Sequence, residues 1–158
     1  MIHKLVPFGF ILSWLVLIFS FSSQSADISG PLSRGFTHDI LRVIAVFSQD
    51  LAGSINADTL HRNLRIFAHF ILYFFLGMWV AAALKNVFSD WFRVWLDSSL
   101  FALIIAVFDE LYQSTVPGRV MSMDDIFTDA LGALLGAGLM TLILFKAFKP
   151  PFKKQHFR

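Results

Sequence analysis

Residues 126–145, IFTDALGALLGAGLMTLILF, hold a single ionisable side chain, Asp129, in a run long enough to cross a bilayer. A helix rises about 1.5 Å per residue, so a hydrocarbon core of about 30 Å takes roughly 20 residues. Working outward from this stretch, residues 66–84 are of the same kind and contain one readily ionised side chain, His69. Residues 91–112 are apolar in their middle, from Ser98 to Phe108, and residues 5–21 are apolar apart from Ser13 and Ser20. Composition agrees: 56% of the 158 residues are hydrophobic, 15% are charged and the mean hydropathy is +0.67. Soluble domains carry about 25% charged residues. The expected fold is all-α: one domain over residues 1–158, a four-helix transmembrane bundle with helices over about 5–22, 59–84, 91–113 and 124–146.

Several function classes fall away. There is no Cys, which removes disulfides, thiol catalysis and cysteine metal sites. A net charge of +2 argues for no nucleic-acid partner. No Walker loop, His-Glu-x-x-His or Gly-x-Ser-x-Gly motif is present, and no internal repeat. The first segment has the outline of a signal peptide, with Lys4 before it and Ser23-Gln24-Ser25 as a small-x-small site. Its apolar stretch exceeds the 7–15 residues usual for a signal core, so it reads as a retained span.

Lys and Arg set the expected orientation. With all four spans, one side holds Lys4, Lys85, Arg93, Lys146, Lys149, Lys153, Lys154 and Arg158; the other holds Arg34, Arg42, Arg62, Arg65 and Arg119. The richer side is read as cytoplasmic, placing both termini inside a bacterial cytoplasmic membrane. The basic tail over 149–158 reads as a topology anchor against anionic lipid. In the long outer loop, Phe36, Ile40, Ile44, Phe47 and Leu51 recur at helical spacing. They predict an additional amphipathic helix over about 36–52, on the membrane surface or over the bundle. Asn56-Ala57-Asp58-Thr59 reads as the next helix start, with Asp58 as cap.

The polar residues fall on one side. Ser22-Ser23-Gln24 ends the first span, Arg65 and His69 open the second, Asp109, Glu110 and Gln113 end the third, and Arg119, Asp124, Asp125 and Asp129 lead into the fourth. Reversing the protein in the membrane leaves this coincidence intact. Arg65, His69 and Tyr73 share a helix face at steps of four, and so do Asp109 and Gln113. Asp125, Asp129, Gly132 and Gly136 run down another face, where the Gly pair permits close helix approach. Asp97 and Asp109 are separated by about 18 Å of helix, so both cannot reach water across a 30 Å core. One of them lies inside the slab, and a lipid-facing charge there costs about 2.5–3.5 kcal/mol or more. Facing the bundle and pairing with Arg65, His69 or Arg119 is cheaper.

Each residue also has a structural reading. Ser122-Met123-Asp124-Asp125 resembles a capping box, Arg65 can snorkel, His69 can bond a neighbour, and Arg119 follows the turn signal Pro117-Gly118. Asp129, about one turn inside an apolar helix, and the adjacent acids Asp109 and Glu110 resist such readings most. Intramembrane charges are functional candidates by default.

Three stretches carry a family resemblance: Phe21-Ser22-Ser23-Gln24; Arg65-x-x-x-His69-Phe70-x-x-Tyr73-x-x-x-Gly77; and Asp109-Glu110-x-x-Gln113-x-x-x-Pro117-Gly118-Arg119-x-x-Ser122-x-x-Asp125-x-x-x-Asp129-x-x-Gly132. The chain resembles the VanZ family, over most of its length except the loop after Arg34 and the tail. Where members often carry Lys after the Arg and an acid before the Tyr, this chain has Ile66 and Leu72. The resemblance implies a multi-pass envelope protein built around these motif residues. It also implies a link to glycopeptide (teicoplanin-type) resistance, with no assigned enzymatic activity and no assigned cofactor.

Three expectations for the polar set follow. The first is an outer-leaflet pocket that binds or processes an anionic lipid-linked envelope molecule, with membrane lipids and a cell-wall precursor or glycopeptide as partners. Arg65 and Arg119 suit phosphate or carboxylate. His69, Asp109 and Glu110 are the candidate catalytic acid–base groups, although Ser22, Ser23 and Ser122 have no nucleophile motif around them. Tyr73, Gln113, Asp125, Asp129 and Gln24 complete the candidate binding set. The second expectation is a non-catalytic scaffold held by an ion-pair network. The third is a proton or ion pathway, which lacks polar residues in the inner half. His69, Asp109, Glu110, Asp125 and Asp129 are suitable metal-ligand types, but no metal is assigned.

Overall fold

The computed structural model describes residues 2–147, which form six helices: α1 (Ile2–Ser22), α2 (Ala26–Phe47), α3 (Gln49–Ser54), α4 (Ala57–Leu84), α5 (Trp91–Gln113) and α6 (Met123–Ala147). The tail over 149–158 lies outside the described residues. Four helices, α1, α4, α5 and α6, are long and apolar enough to cross a membrane. They confirm the all-α bundle expected from the sequence. Among the described residues no strand occurs.

The bundle is packed as membrane helices pack. Its core positions are small, with Ala81, Ala83, Ala102, Ala106, Ala133 and Ala137 almost wholly buried. Large side chains such as Leu12, Val16, Ile104, Phe108 and Leu142 point outward. Lipid tails are as apolar as Leu, so close backbone approach and packing hold such a bundle together. The closest approach is between α4 and α6. A Cβ on Gly136 would overlap the backbone of Phe74, one on Gly132 the backbone at Phe70 and Phe74, and one on Gly77 the backbone of Ala133. The Gly132-x-x-x-Gly136 contact expected from the sequence is therefore present, and Gly77 completes it from the facing helix.

α1 joins through a few defined points. Ile18 is buried, the Phe10 ring stacks on Trp79 at 4.3 Å, and Trp14 Nε1 donates to the Leu72 carbonyl at 2.6 Å. At the end that carries the basic residues, the Lys85 ammonium lies 4.1 Å from the centre of the Phe145 ring, and the Arg93 guanidinium 3.9 Å from that of Phe88. Arg93 also meets Asp97 at 3.4 Å in an exposed pair. In α5, Asp97 is partly exposed beside Arg93, while Asp109 and Glu110 turn into the bundle.

The loop between the first two spans differs from the sequence expectation. The helix predicted over about 36–52 starts at Ala26 and stops at Phe47. Ser48 is extended, with φ −159° and ψ 111°, and its side chain accepts from Leu51 N to cap the separate α3. The early start runs through Gly30, Pro31 and Gly35, which read as loop signals. Docking onto α4 outweighs them: Thr37 is buried, and the Ser33 and Thr37 hydroxyls lie 3.3 Å and 3.4 Å from His61 Nδ1. Ile28, Leu32, Phe36, Val43, Val46 and Phe47 remain exposed, whereas Ile40 and Ile44 are half-buried. The start of α4 also differs. Asn56, not Asp58, is the cap, its side chain accepting from Thr59 N at 2.9 Å, and Asp58 sits in the first turn where an acid suits the helix dipole.

Candidate functional site

The candidate site residues all lie at the end of the bundle where α1 and α5 finish and α4 and α6 begin. The site is built from three pieces.

The first piece joins α4 to α6. Arg65 donates from one terminal nitrogen to Asp125 Oδ2 at 2.6 Å; the Arg65 side chain is 50% exposed and that of Asp125 10%. One turn deeper, His69 Nδ1 lies 3.2 Å from Asp129 Oδ1, and Asp129 is fully buried. The sequence leaves the partner of Asp129 open. The structure gives it His69, because the four-residue steps on both helices put 65 against 125 and 69 against 129.

The second piece locks helix ends. Arg119 donates through Nε to the Gln24 carbonyl at 3.0 Å, through one terminal nitrogen to Gln113 Oε1 at 2.7 Å and through the other to the Phe21 carbonyl at 3.5 Å. It thus satisfies carbonyls left open at the end of α1, where a cation also complements the helix dipole. Burial lowers the Arg119 pKa from its ordinary value, and nearby Arg65 adds to this. The loop that delivers Arg119 is fixed beside α2: Ala26 N donates to the Pro117 carbonyl, and Gly118 has φ +76° with space for no side chain, since a Cβ would lie 2.9 Å from that of Ala26. Glu110 does the corresponding work for α6. Ser122 Oγ accepts from Asp125 N, the usual half of a capping box. The other half comes from another helix, Glu110 Oε2 accepting from Ser122 N at 2.8 Å.

The third piece is a chamber of about 70 Å³ enclosed by α1, α4, α5 and the Arg119 loop. Its polar wall is formed by Ser22, His69, Tyr73, Asp109, Gln113 and Arg119, and its apolar wall includes Ile18, Phe21 and Leu72. Gln113 Nε2 donates to Asp109 Oδ2 at 2.9 Å and lies 3.4 Å from Ser22 Oγ. Tyr73, Asp109 and Gln113 are each at most 2% exposed. The Tyr73 hydroxyl and Asp109 Oδ1 are buried and meet no partner at hydrogen-bond geometry, although the two groups lie in one another's field. Glu110 Oε1 is also unpaired but does not line the chamber.

The sequence-derived set is therefore brought together but divided by role. Arg65, His69, Asp125 and Asp129 form cross-helix pairs. Arg119 and Glu110 tie helix ends, with Gln24 contributing its backbone carbonyl. Tyr73, Asp109, Gln113 and His69 face the chamber. Asp124 is exposed and outside it. Sequence reasoning gave Ser22 no role, yet it is buried in the chamber wall. It also passed over the Ser33–Thr37–His61 contact, whose only signal was a pair of hydroxyls four apart on the α2 face opposite its exposed apolar residues. Among the described residues no three His, Asp or Glu side chains converge as a metal site.

Fold and site together define a multi-pass helical membrane protein with a buried polar chamber at one end. The chain matches the family model described as VanZ/LLP1 over residues 8–145, and it belongs to the VanZ family. Neither the curated proteins nor the solved structures include a match.

Proposed function

We propose that the chamber end faces the outer leaflet of the bacterial cytoplasmic membrane, with both termini cytoplasmic, and binds the head group of an anionic lipid-linked envelope molecule. The observation that carries this reading is Arg65. A guanidinium has five donors, and Arg65 makes one hydrogen bond to a side chain, Asp125, while remaining half exposed. The other donors are free for phosphate or carboxylate at the level where lipid head groups lie. Forked donation to such anions is what distinguishes Arg from Lys. A cell-wall precursor, or the glycopeptide that engages one, fits this location, and the association of the family's named member with teicoplanin resistance is consistent with it. Binding alone accounts for the geometry, with His69 and Asp109 as the acid–base groups available to any chemistry on the bound molecule.

A second reading, the static ion-pair scaffold, is favoured by one observation: Arg119 and Glu110 direct their hydrogen bonds to other helices' ends. Native mass spectrometry with a melting curve separates the two. Under the binding reading, Arg65→Ala loses a co-purifying anionic lipid and melts within a few degrees of wild type. An Arg65→Ala protein that keeps its full lipid complement and melts much lower assigns Arg65 to the scaffold.

A further inference from the structure

The hydrogen-bonding groups of the chamber do not balance, and the imbalance has a sign. The guanidinium in its wall makes three hydrogen bonds: Arg119 holds the Phe21 and Gln24 carbonyls and the Gln113 amide oxygen. The Gln113 amide nitrogen is turned to Asp109 and Ser22. The Ser22 hydroxyl donates to the Ile18 carbonyl at 3.0 Å. His69 presents Nδ1 to Asp129 on α6, a helix that does not line the chamber. Among the buried atoms of the wall, Asp109 Oδ1 and the Tyr73 hydroxyl, each on a residue 1% exposed, have no hydrogen-bond partner.

A buried carboxylate oxygen with no donor is costly, and a phosphate placed against it would be repelled. Around it the carboxyl groups of Asp109, Glu110, Asp125 and Asp129 stand against two arginines and one histidine, so acidic groups outnumber basic ones. A cationic hydrogen-bond donor is the group that this carboxylate oxygen accommodates best. The chamber volume of about 70 Å³ suits a group of a few heavy atoms, since a single water needs roughly 10–15 Å³ on this kind of measure.

We propose that the chamber binds a primary ammonium on a short alkyl arm, which donates one N–H to Asp109 Oδ1 and a second to the Tyr73 hydroxyl oxygen. This rests on the head-group reading above and sharpens it: the ligand carries an anionic group for Arg65 and an amine for the chamber. The amine belongs either to a lipid head group or to a soluble molecule, and the chemistry required of it is the same.

The test uses the purified full-length chain in detergent, titrated with ethanolamine and followed by melting temperature and calorimetry. Ethylene glycol supplies the shape without the charge, tetramethylammonium the charge without N–H donors, and inorganic phosphate the anion alone. Ethanolamine is expected to stabilise the protein saturably while ethylene glycol and tetramethylammonium do not. Asp109→Asn should weaken ethanolamine by about tenfold or more, the scale of a lost charge-assisted hydrogen bond. Tyr73→Phe, which keeps the ring, should weaken it less. Equal affinity in wild type and a folded Asp109→Asn variant overturns the proposal, as does stabilisation by tetramethylammonium equal to that by ethanolamine. If Asp109→Asn does not fold, Tyr73→Phe decides: unchanged ethanolamine affinity overturns the proposal. Phosphate binding that is lost in Arg65→Ala, with no ethanolamine binding in wild type, leaves the head-group reading standing and removes this one. Ethanolamine binding without any role for Arg65 does the reverse. In nanodiscs, phosphatidylethanolamine competes with ethanolamine if the amine is lipid-borne. If neither that lipid nor phosphatidylglycerol competes, the amine is soluble.

Discussion

Replacing Gly136 by Ala is the sharpest available test of the α4–α6 contact on which the site stands. The added Cβ would lie 2.7 Å from the Phe74 carbonyl carbon and 3.0 Å from its Cα, with the carbonyl oxygen closer still. The obstacle is backbone, so no side chain can rotate away and the helices must separate. Adding a methyl to a filled interior costs about 1–3 kcal/mol, and a rigid obstacle puts this case near the upper end. The better helix preference of Ala returns about 1 kcal/mol. The net loss is then about 2 kcal/mol, or a drop of about 4–8 °C in melting temperature for a chain of this size. Gly35→Ala is the control, because a Cβ there meets nothing within 4 Å and only the helix-preference gain remains. Thermal unfolding in one detergent, with all variants side by side, reads the effect. A Gly136→Ala protein that melts at or above wild type refutes the reasoning, since it would mean that α4 and α6 do not meet backbone to backbone.

Other expectations concern the polar residues. Asp129→Asn removes the charge facing His69 while nearly keeping its shape, and should cost about 1.5–3 kcal/mol, the scale of a hydrogen bond to a charged group; unchanged melting would mean that Asp129 is held neutral. Glu110→Gln keeps an acceptor for Ser122 N and should lose about 1 kcal/mol of helix-end charge stabilisation, whereas Glu110→Ala strands that N–H and should cost about 1–3 kcal/mol; equal melting of the two variants would contradict the capping role. Arg119→Lys keeps the charge but cannot reach two carbonyls and an amide from a planar fork, so proteolysis near Ser25 should rise as in Arg119→Ala. Full protection in the Lys variant would show that charge alone suffices. Reporter fusions should read external near Ile55 and cytoplasmic after Arg158, and the opposite pair of readings would invert the proposed orientation.

The spans were legible because each is a long apolar run, and the shared location of the polar residues followed from counting four crossings. Pairing was less legible. A sequence shows that Asp129 needs a partner, but choosing His69 over Arg65 depends on the offset between α4 and α6, which their glycines set. The roles of Arg119 and Glu110 were hidden for a similar reason. Helix ends are usually capped by residues nearby in sequence, and here Arg119 at the end of α1 and Glu110 at the start of α6 come from other parts of the chain. α2 was read short because the apolar repeat that reveals it begins at Phe36, whereas its first turns are held by contacts such as Ser33 with His61, which no local pattern announces.

The fastenings of α1 bear on how the protein is made. Its contacts are to Leu72, Gln113 and Arg119, which lie 58, 91 and 95 residues beyond their α1 or adjoining partners Trp14, Ser22 and Gln24. On a growing chain, α1 precedes α4 and waits some sixty residues for it before anything can hold it. It is suited to waiting: its span has a mean hydropathy of 2.1 and only 11% of it is buried in the finished bundle, so lipid is an adequate companion. α6 is the opposite case. It carries a buried acid, but it follows the other three spans, and His69 precedes its partner by sixty residues. The order of the helices along the chain thus spares Asp129 from entering the membrane before a partner exists, and a circular permutation that placed α6 first would insert poorly even though its final contacts were identical.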